Sequence, residues 1–310
     1  MLFRQLEYFV AVARERHFAR AAEACYVSQP ALSAAIAKLE RELNVTLINR
    51  GHNYEGLTPE GERLVVWAKR ILAEQDAFKA EVAAVQSGIT GTLRLGAEPT
   101  ASTTVALPVA AFCAAHPLAK VQVRSRSSTT ELRRQLRDFE LDAAIARFAP
   151  HDQEGLQVVP LYEERFMVLA SGDHLTPQTD TMRWADAAQL PLALLTSDMR
   201  IRQVIDSAFA DSGVEVTPQV ETDSVASLYA LVGDGEWASI VPHAWLRAMP
   251  VIGRTRVVRL VEPVARAQVS VAINAATPGS VVARAFVKAA MGLRLEEFFD
   301  QPLPTEHPVR

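Results

Sequence analysis

The chain has 310 residues, a net charge of −4 and 49% hydrophobic residues, too long for one small domain and enough for about two or three. Its 2 cysteines and 7 histidines show neither a disulfide framework nor metal-ligand spacing, so no metal is expected and a reducing cytoplasm fits. An apolar run of about 18 residues, a signal-like N-terminus, a nucleophile elbow, a phosphate loop and a dinucleotide fingerprint are all missing, which argues against membrane insertion, export, a cofactor and enzyme chemistry.

In chain order, Leu6, Phe9, Val10 and Ala13 form the buried stripe of a first helix. Phe18, Ala21, Ala22 and Cys25 mark a second, and Leu32, Ile36, Leu39 and Leu43 a third. Between the last two, Ser28 is a good N-cap and Pro30 sits in the first turn, where its missing N–H costs nothing. Such a pair is a helix-turn-helix able to enter the major groove, or equally an ordinary helical hairpin. The turn-rich stretch Thr46 to Thr58 has short apolar flanks and suits a small β-wing. Residues 1–58 hold 7 basic and 6 acidic side chains, a net +1, so local placement must supply the phosphate contacts.

Thr58 caps the next helix, Pro59 starts it, and Glu60 and Glu62 favour its positive end. Leu64, Ala68, Ile71, Gln75, Phe78, Val82 and Val85 then step by 4 and 3 as a heptad seam, with Lys69, Arg70, Glu74, Lys79 and Glu81 on the wet face. The seam suits a two-helix contact between chains, with packing on its own domain as the alternative. Ser87-Gly88 and Thr90-Gly91 end the helix in a hinge. Beyond it, strand-like runs at 93–96, 121–124, 143–146, 165–170, 192–195, 217–222, 238–241, 257–260 and 268–273 alternate with helices. The helices fall near 103–115, 130–139, 200–212, 224–233 and 280–299, a pattern of α/β sheets covered by helices.

The wording RQLEYFVAVARERHFARAAEACYVSQPALSAAIAKLERELNVTLINR, followed by GLTPEGERL, resembles the LysR-type transcriptional regulators. The resemblance implies an α plus α/β protein. Its expected parts are a winged helix-turn-helix at 1–58, a dimerising linker helix at 59–88 and an effector-binding domain at 92–302. That last domain is expected as two α/β subdomains, about 92–162 with 268–302 and about 163–267, similar to periplasmic binding proteins; the tail 303–310 is expected to be disordered. Promoter DNA, a homodimer or homotetramer, RNA polymerase and a small anionic effector are the implied partners. ELRRQLRDFELDAAIA, LPLALLTSDMRIRQVIDSAF and LVGDGEWASIVPHAWL continue the resemblance, though Asp234-Gly235-Glu236-Trp237 replaces the Gly-rich aliphatic turn of many relatives. RGHNYEGLTPEGERLVVWAKRILAE further resembles a subgroup met beside formate dehydrogenase genes.

With the apolar stripe buried, the expected DNA-facing residues are Gln29, Pro30, Ser33, Ala34 and Lys38, with Arg20 and Ser28 beside them and Arg50, His52 and Asn53 on the wing. Ala34 and Ala35 replace longer side chains common in relatives, which makes this a sparse reader. The expected effector site gathers at strand ends: Pro99, Thr100, Ala101, Ser102 and Thr103, then Ser127, Ser128 and Thr129, then Arg147, and in the second subdomain Thr196, Arg200, Arg202 and Thr222. Hydroxyls, helix N-termini and an arginine suit a small carboxylate such as formate. The plainer alternatives are that these hydroxyls are N-caps and that Arg147 pairs with Asp142 or Glu140 at the surface. A solute-binding protein is the competing function; the helix-turn-helix argues against it.

Overall fold

The computed structural model describes residues 2–50, 54–175, 180–249, 255–276 and 279–301. His52, Asn53 and the tail from 303 lie outside the described residues. Helices α1 (Phe3–Glu15), α2 (Phe18–Ala24) and α3 (Gln29–Leu43) pack around Phe9, Val12, Ala21, Ala22, Leu32, Ile36 and Leu39. Caps set their ends: His17 Nδ1 accepts from Ala19 N–H at the start of α2, and Ser28 Oγ accepts from Ala31 N–H at the start of α3. Leu43, expected on the buried stripe, is exposed, because α3 projects a last turn beyond its neighbours and stops at Asn44 in the left-handed region. Cys25 is the half-buried C-cap of α2 rather than a core helix residue.

The wing is β1 (Ile48–Arg50) paired antiparallel with β2 (Tyr54–Leu57). Helix α4 (Pro59–Ser87) follows, its 29 residues spanning about 43 Å. Its seam is divided between two faces. Leu64, Ala68, Ile71 and Leu72 pack on the N-terminal core, whereas Trp67, Phe78, Val82 and Val85 stand exposed. The single heptad line expected from spacing therefore serves its own domain first and a free face second.

The C-terminal region is built from β3 (Gly91–Ala97), α5 (Ala106–Ala115), β4 (Ala119–Arg124), α6 (Thr129–Arg137), β5 (Ala143–Ala146) and β6 (Leu156–Ser171). There follow β7 (Thr181–Arg183), α7 (Trp184–Ala187), β8 (Ala193–Leu195), α8 (Arg200–Asp211), β9 (Val220–Thr222) and α9 (Val225–Asp234). Last come β10 (Ser239–Pro242), α10 (Trp245–Ala248), β11 (Thr255–Val261), β12 (Arg266–Asn274), α11 (Val281–Gly292) and α12 (Leu295–Asp300). One curled mixed sheet runs β4-β3-β5-β12-β6-β11-β7, with β10 also on β6, while β8 and β9 pair separately. Strand β6 changes partner midway: Leu156 to Arg165 pair with β12, and Phe166 to Ser171 with β10 and β11. It thus joins two cores, one around Phe112, Tyr162, Phe286 and Phe299, the other around Phe166, Trp184, Phe209 and Trp245. The first half of β6 is missing from the expected strands. The expected single final helix breaks at Arg294, which adopts a φ of 46°.

Candidate DNA and effector sites

On the DNA-binding unit, Arg20, Ser28, Gln29, Pro30, Ala34 and Lys38 lie exposed, and Ser33 is half-buried. Two are already engaged locally. Arg20 donates to Glu15 O at 2.9 Å, clamping α2 to the end of α1, and the Ser28 hydroxyl is an N-cap. Gln29 and Ser33 stand one turn apart on α3, at the margin of the stripe buried through Leu32, Ile36 and Leu39, with Gln29 exposed at the first turn. Beside them Tyr26, which spacing did not single out, is 96% exposed on the turn before α3 and holds a φ of 55°. Nothing in the sequence alone signals it, since its left-handed backbone is visible only in the structure. Arg50 lies on β1, and nothing further is described of its side chain.

Glu40 was also missed, and it locks the wing to α3. Its Oε1 accepts Leu47 N–H at 2.9 Å and Ile48 N–H at 3.2 Å. Leu47 O accepts Thr58 N–H at 3.0 Å, and Thr58 Oγ1 both donates to Thr46 O at 2.7 Å and caps Gly61 N–H at 2.9 Å. Recognition helix, wing and linker helix therefore meet at one backbone unit.

In the effector domain the expected residues do sit at strand ends, but several are committed elsewhere. Segment 99–105 does not open α5. It folds into turns in which Ser102, Thr103 and Thr104 donate to Pro99 O, Thr100 O and Ala101 O at 2.6, 3.3 and 3.1 Å. Serine and threonine hydroxyls compete with the helix for backbone carbonyls, so α5 starts only at Ala106, where Leu107 N–H already donates to Thr104 O at 3.3 Å. Ala101 is buried beneath it.

Arg147 is 4% exposed and pairs neither with Asp142 nor with Glu140. Its Nε and Nη2 donate to Glu164 Oε2 at 2.8 and 2.5 Å, and its Nη1 donates to Glu98 Oε1 at 3.1 Å and Thr100 Oγ1 at 2.8 Å. Burial opposes its charge, but Glu164 and Glu98 outweigh that and hold it firmly protonated. Glu164 is 0% exposed, and burial pushes its carboxyl above the usual carboxylate range against the pull of Arg147. Its Oε1 has no partner. Two carboxylates thus saturate the one arginine expected to reach an anion from this subdomain. Asp142 instead binds Arg94, through N–H at 2.7 Å, Nε at 3.0 Å and Nη2 at 2.8 Å.

Across the fold, Trp245 Nε1 donates to Thr100 O at 3.0 Å, which brings the second subdomain onto this loop. Arg202 is also committed, to Asp206 Oδ1 at 2.7 Å, Glu221 Oε1 at 2.6 Å and Leu195 O at 2.6 Å. Arg200 Nη1 donates to Gln203 Oε1 at 3.3 Å. Ser128 caps α6, Ser127 precedes it, and Thr222 Oγ1 accepts Ser224 N–H at 3.1 Å. Among the described residues four hydroxyls are buried without a partner: Thr129 at the first position of α6, Thr196 after β8, Tyr229 on α9 and Ser239 on β10. Among the described residues no group of acidic, histidine or cysteine side chains is placed to hold a metal.

A winged helix-turn-helix on a long linker helix, followed by a two-core α/β domain, defines a ligand-responsive DNA-binding protein. Residues 3–62 match the bacterial regulatory helix-turn-helix protein, lysR family, and residues 86–292 match the LysR substrate binding domain. The chain belongs to the LysR family of DNA-binding transcriptional regulators. It is 30% identical over 302 residues to a probable hydrogen peroxide-inducible genes activator of Streptomyces viridosporus, covering 96% of this chain and 95% of that one. It is 33% identical over 243 residues to the SDS degradation transcriptional activation protein of a Pseudomonas strain, covering 77% and 78%. Among solved structures, a full-length OxyR variant from Pseudomonas aeruginosa superposes with a TM-score of 0.74 at 26% identity, covering 94% of this chain and 98% of that one.

Proposed function

We propose that promoter binding by this regulator is controlled by a small polar molecule held without covalent chemistry at the strand-end loops of the effector domain. The observation that carries the reading is the set of buried, unpartnered hydroxyls on Thr129, Thr196 and Tyr229, contributed by both subdomains. A buried hydroxyl left unpaired is costly, so a ligand that hydrogen-bonds all three gains strength from each. With Arg147 and Arg202 saturated, a small carboxylate such as formate would be held by the amides at the start of α6 together with these hydroxyls rather than by a guanidinium.

The relative named as a probable hydrogen peroxide-inducible genes activator raises peroxide sensing as a second reading. Peroxide oxidises a thiolate, and the chain holds only Cys25, in the DNA-binding unit, and Cys113, on α5 against the first core. Burial pushes the Cys25 thiol up, away from the reactive thiolate. This favours reversible binding over a dithiol switch. The exposed face of Trp67, Phe78, Val82 and Val85 supports a homodimer through α4, and further pairing to a tetramer.

Thermal melting with a panel of small carboxylates, small polyols and dilute peroxide tests the effector reading. At least one class should raise the melting point in the wild type and lose that shift in Thr129→Val with Thr196→Val. A panel without any shift, or shifts unaltered in the double variant, contradicts it.

A further inference from the structure

Helix α6 joins two places that the function must connect. It begins at Thr129, in the proposed effector site, and its 9 residues span about 14 Å. At the far end lies a cluster of charge that belongs partly to another domain. Lys69 Nζ of α4 stands 3.3 Å from Asp138 Oδ2 and 3.0 Å from Glu140 Oε1. Arg134 of α6 completes it, 2.8 Å from Asp138 and 3.1 Å from Glu140, with Glu131 at 2.7 Å. Burial pushes the Glu140 carboxyl up, yet Arg134 and Lys69 overcome this and hold it below the usual carboxylate range.

Lys69 is the residue after Ala68, which packs into the DNA-binding core. Consecutive positions of one helix therefore address two domains. The surroundings show how narrow the junction is. A crevice of about 1330 Å³ separates the end of α1 and the middle of α4 from the effector domain, lined by Val10, Ala13 and Arg14 on one side and Arg94, Arg124 and Asp142 on the other. A second link, Glu81 to Arg284 at 3.0 Å, is exposed on both sides and contributes less. A junction of ion pairs around a crevice can be made or released as a unit, unlike a broad apolar interface.

We infer that Lys69 is a positioning residue that sets the angle of the linker helix, and with it the DNA-binding unit, according to the state of the effector end of α6. The inference rests on the effector reading given above. No ligand is needed to test it. In the full chain, Lys69→Met, Lys69→Arg, Thr129→Val and the Lys69→Met/Thr129→Val pair are compared for affinity to a selected promoter duplex, footprint length and amide hydrogen exchange.

Lys69→Met should change DNA affinity by about fivefold and raise exchange over residues 134–140. Lys69→Arg should stay within about twofold of wild type, and the paired substitutions should depart from additivity. Unchanged affinity and footprint in Lys69→Met overturn the inference. Strict additivity overturns it too, since Lys69 would then be a local brace. If the ligand panel fails but the pair is non-additive, the effector chemistry is wrong and the coupling stands.

Discussion

Arg147 meets Glu98, the residue after β3, and Glu164 of β6, and the three side chains share a site closed to solvent. Glu98 receives hydrogen bonds from Arg147 N–H, Arg147 Nη1 and Thr100 Oγ1, whereas both donors to Glu164 fall on Oε2. Two carboxylates around one guanidinium leave one negative charge in excess, and the less well hydrogen-bonded oxygen, Glu164 Oε1, is where a proton relieves it. Because the folded carboxyl titrates above its unfolded value of about 4.3, its contribution is complete below that pH and is lost as pH rises through the folded pKa. Glu164→Gln mimics the protonated form. The stability of wild type relative to this variant should fall as pH rises above the usual carboxylate range in denaturant titrations, and a difference independent of pH would contradict the assignment. Sequence spacing marked Arg147 as functional but could not supply its partners. Glu163-Glu164-Arg165 reads as a polar run, and only the pairing of β5, β12 and β6 brings Glu164 inward.

At the scale of elements, Leu47 is the point where three meet. Its N–H is taken by Glu40 of α3, its carbonyl by Thr58, and its backbone lies against Gly61 of α4. A Cβ at Gly61 would sit 2.0 Å from Leu47 O, a backbone atom with no freedom to retreat because Leu47 is fully buried. Gly61→Ala should therefore lower stability by about 1–3 kcal/mol and weaken DNA binding, measured by urea unfolding and gel shift. Unchanged unfolding would show that α4 can move away without cost. The KLE and LTPEG wording was legible as a pattern before its physical reason was. Helix boundaries were legible too, since caps such as Ser28 and Thr58 are local. What escaped was the division of the α4 seam, because a heptad pattern records apolar positions without saying which neighbour covers them.

For the whole molecule, β6 is the organising strand, carrying one core on each half and the buried Glu164 close to the crossover. Relative motion of the two halves about that strand would reach α6, and from α6 the Lys69 cluster. The overall architecture was readable because alternating strands and helices constrain topology. The effector chemistry was not, because the state of each arginine depends on acids distant in the chain. On the DNA side, if the readers on α3 are chiefly Gln29 and Ser33 as proposed from the sequence, one unit alone should discriminate poorly. On the proposed reading, paired units on a shared linker-helix contact supply the rest.

The most direct measurement is selection of duplexes from a random pool by the full chain, followed by footprinting of the enriched sequences. The account predicts a two-fold symmetric site whose half-sites repeat at about one helical turn or a multiple of it, with affinity lost when Phe78→Glu breaks the exposed α4 face. Enrichment of a single unrepeated half-site, or of no sequence at all, would contradict it.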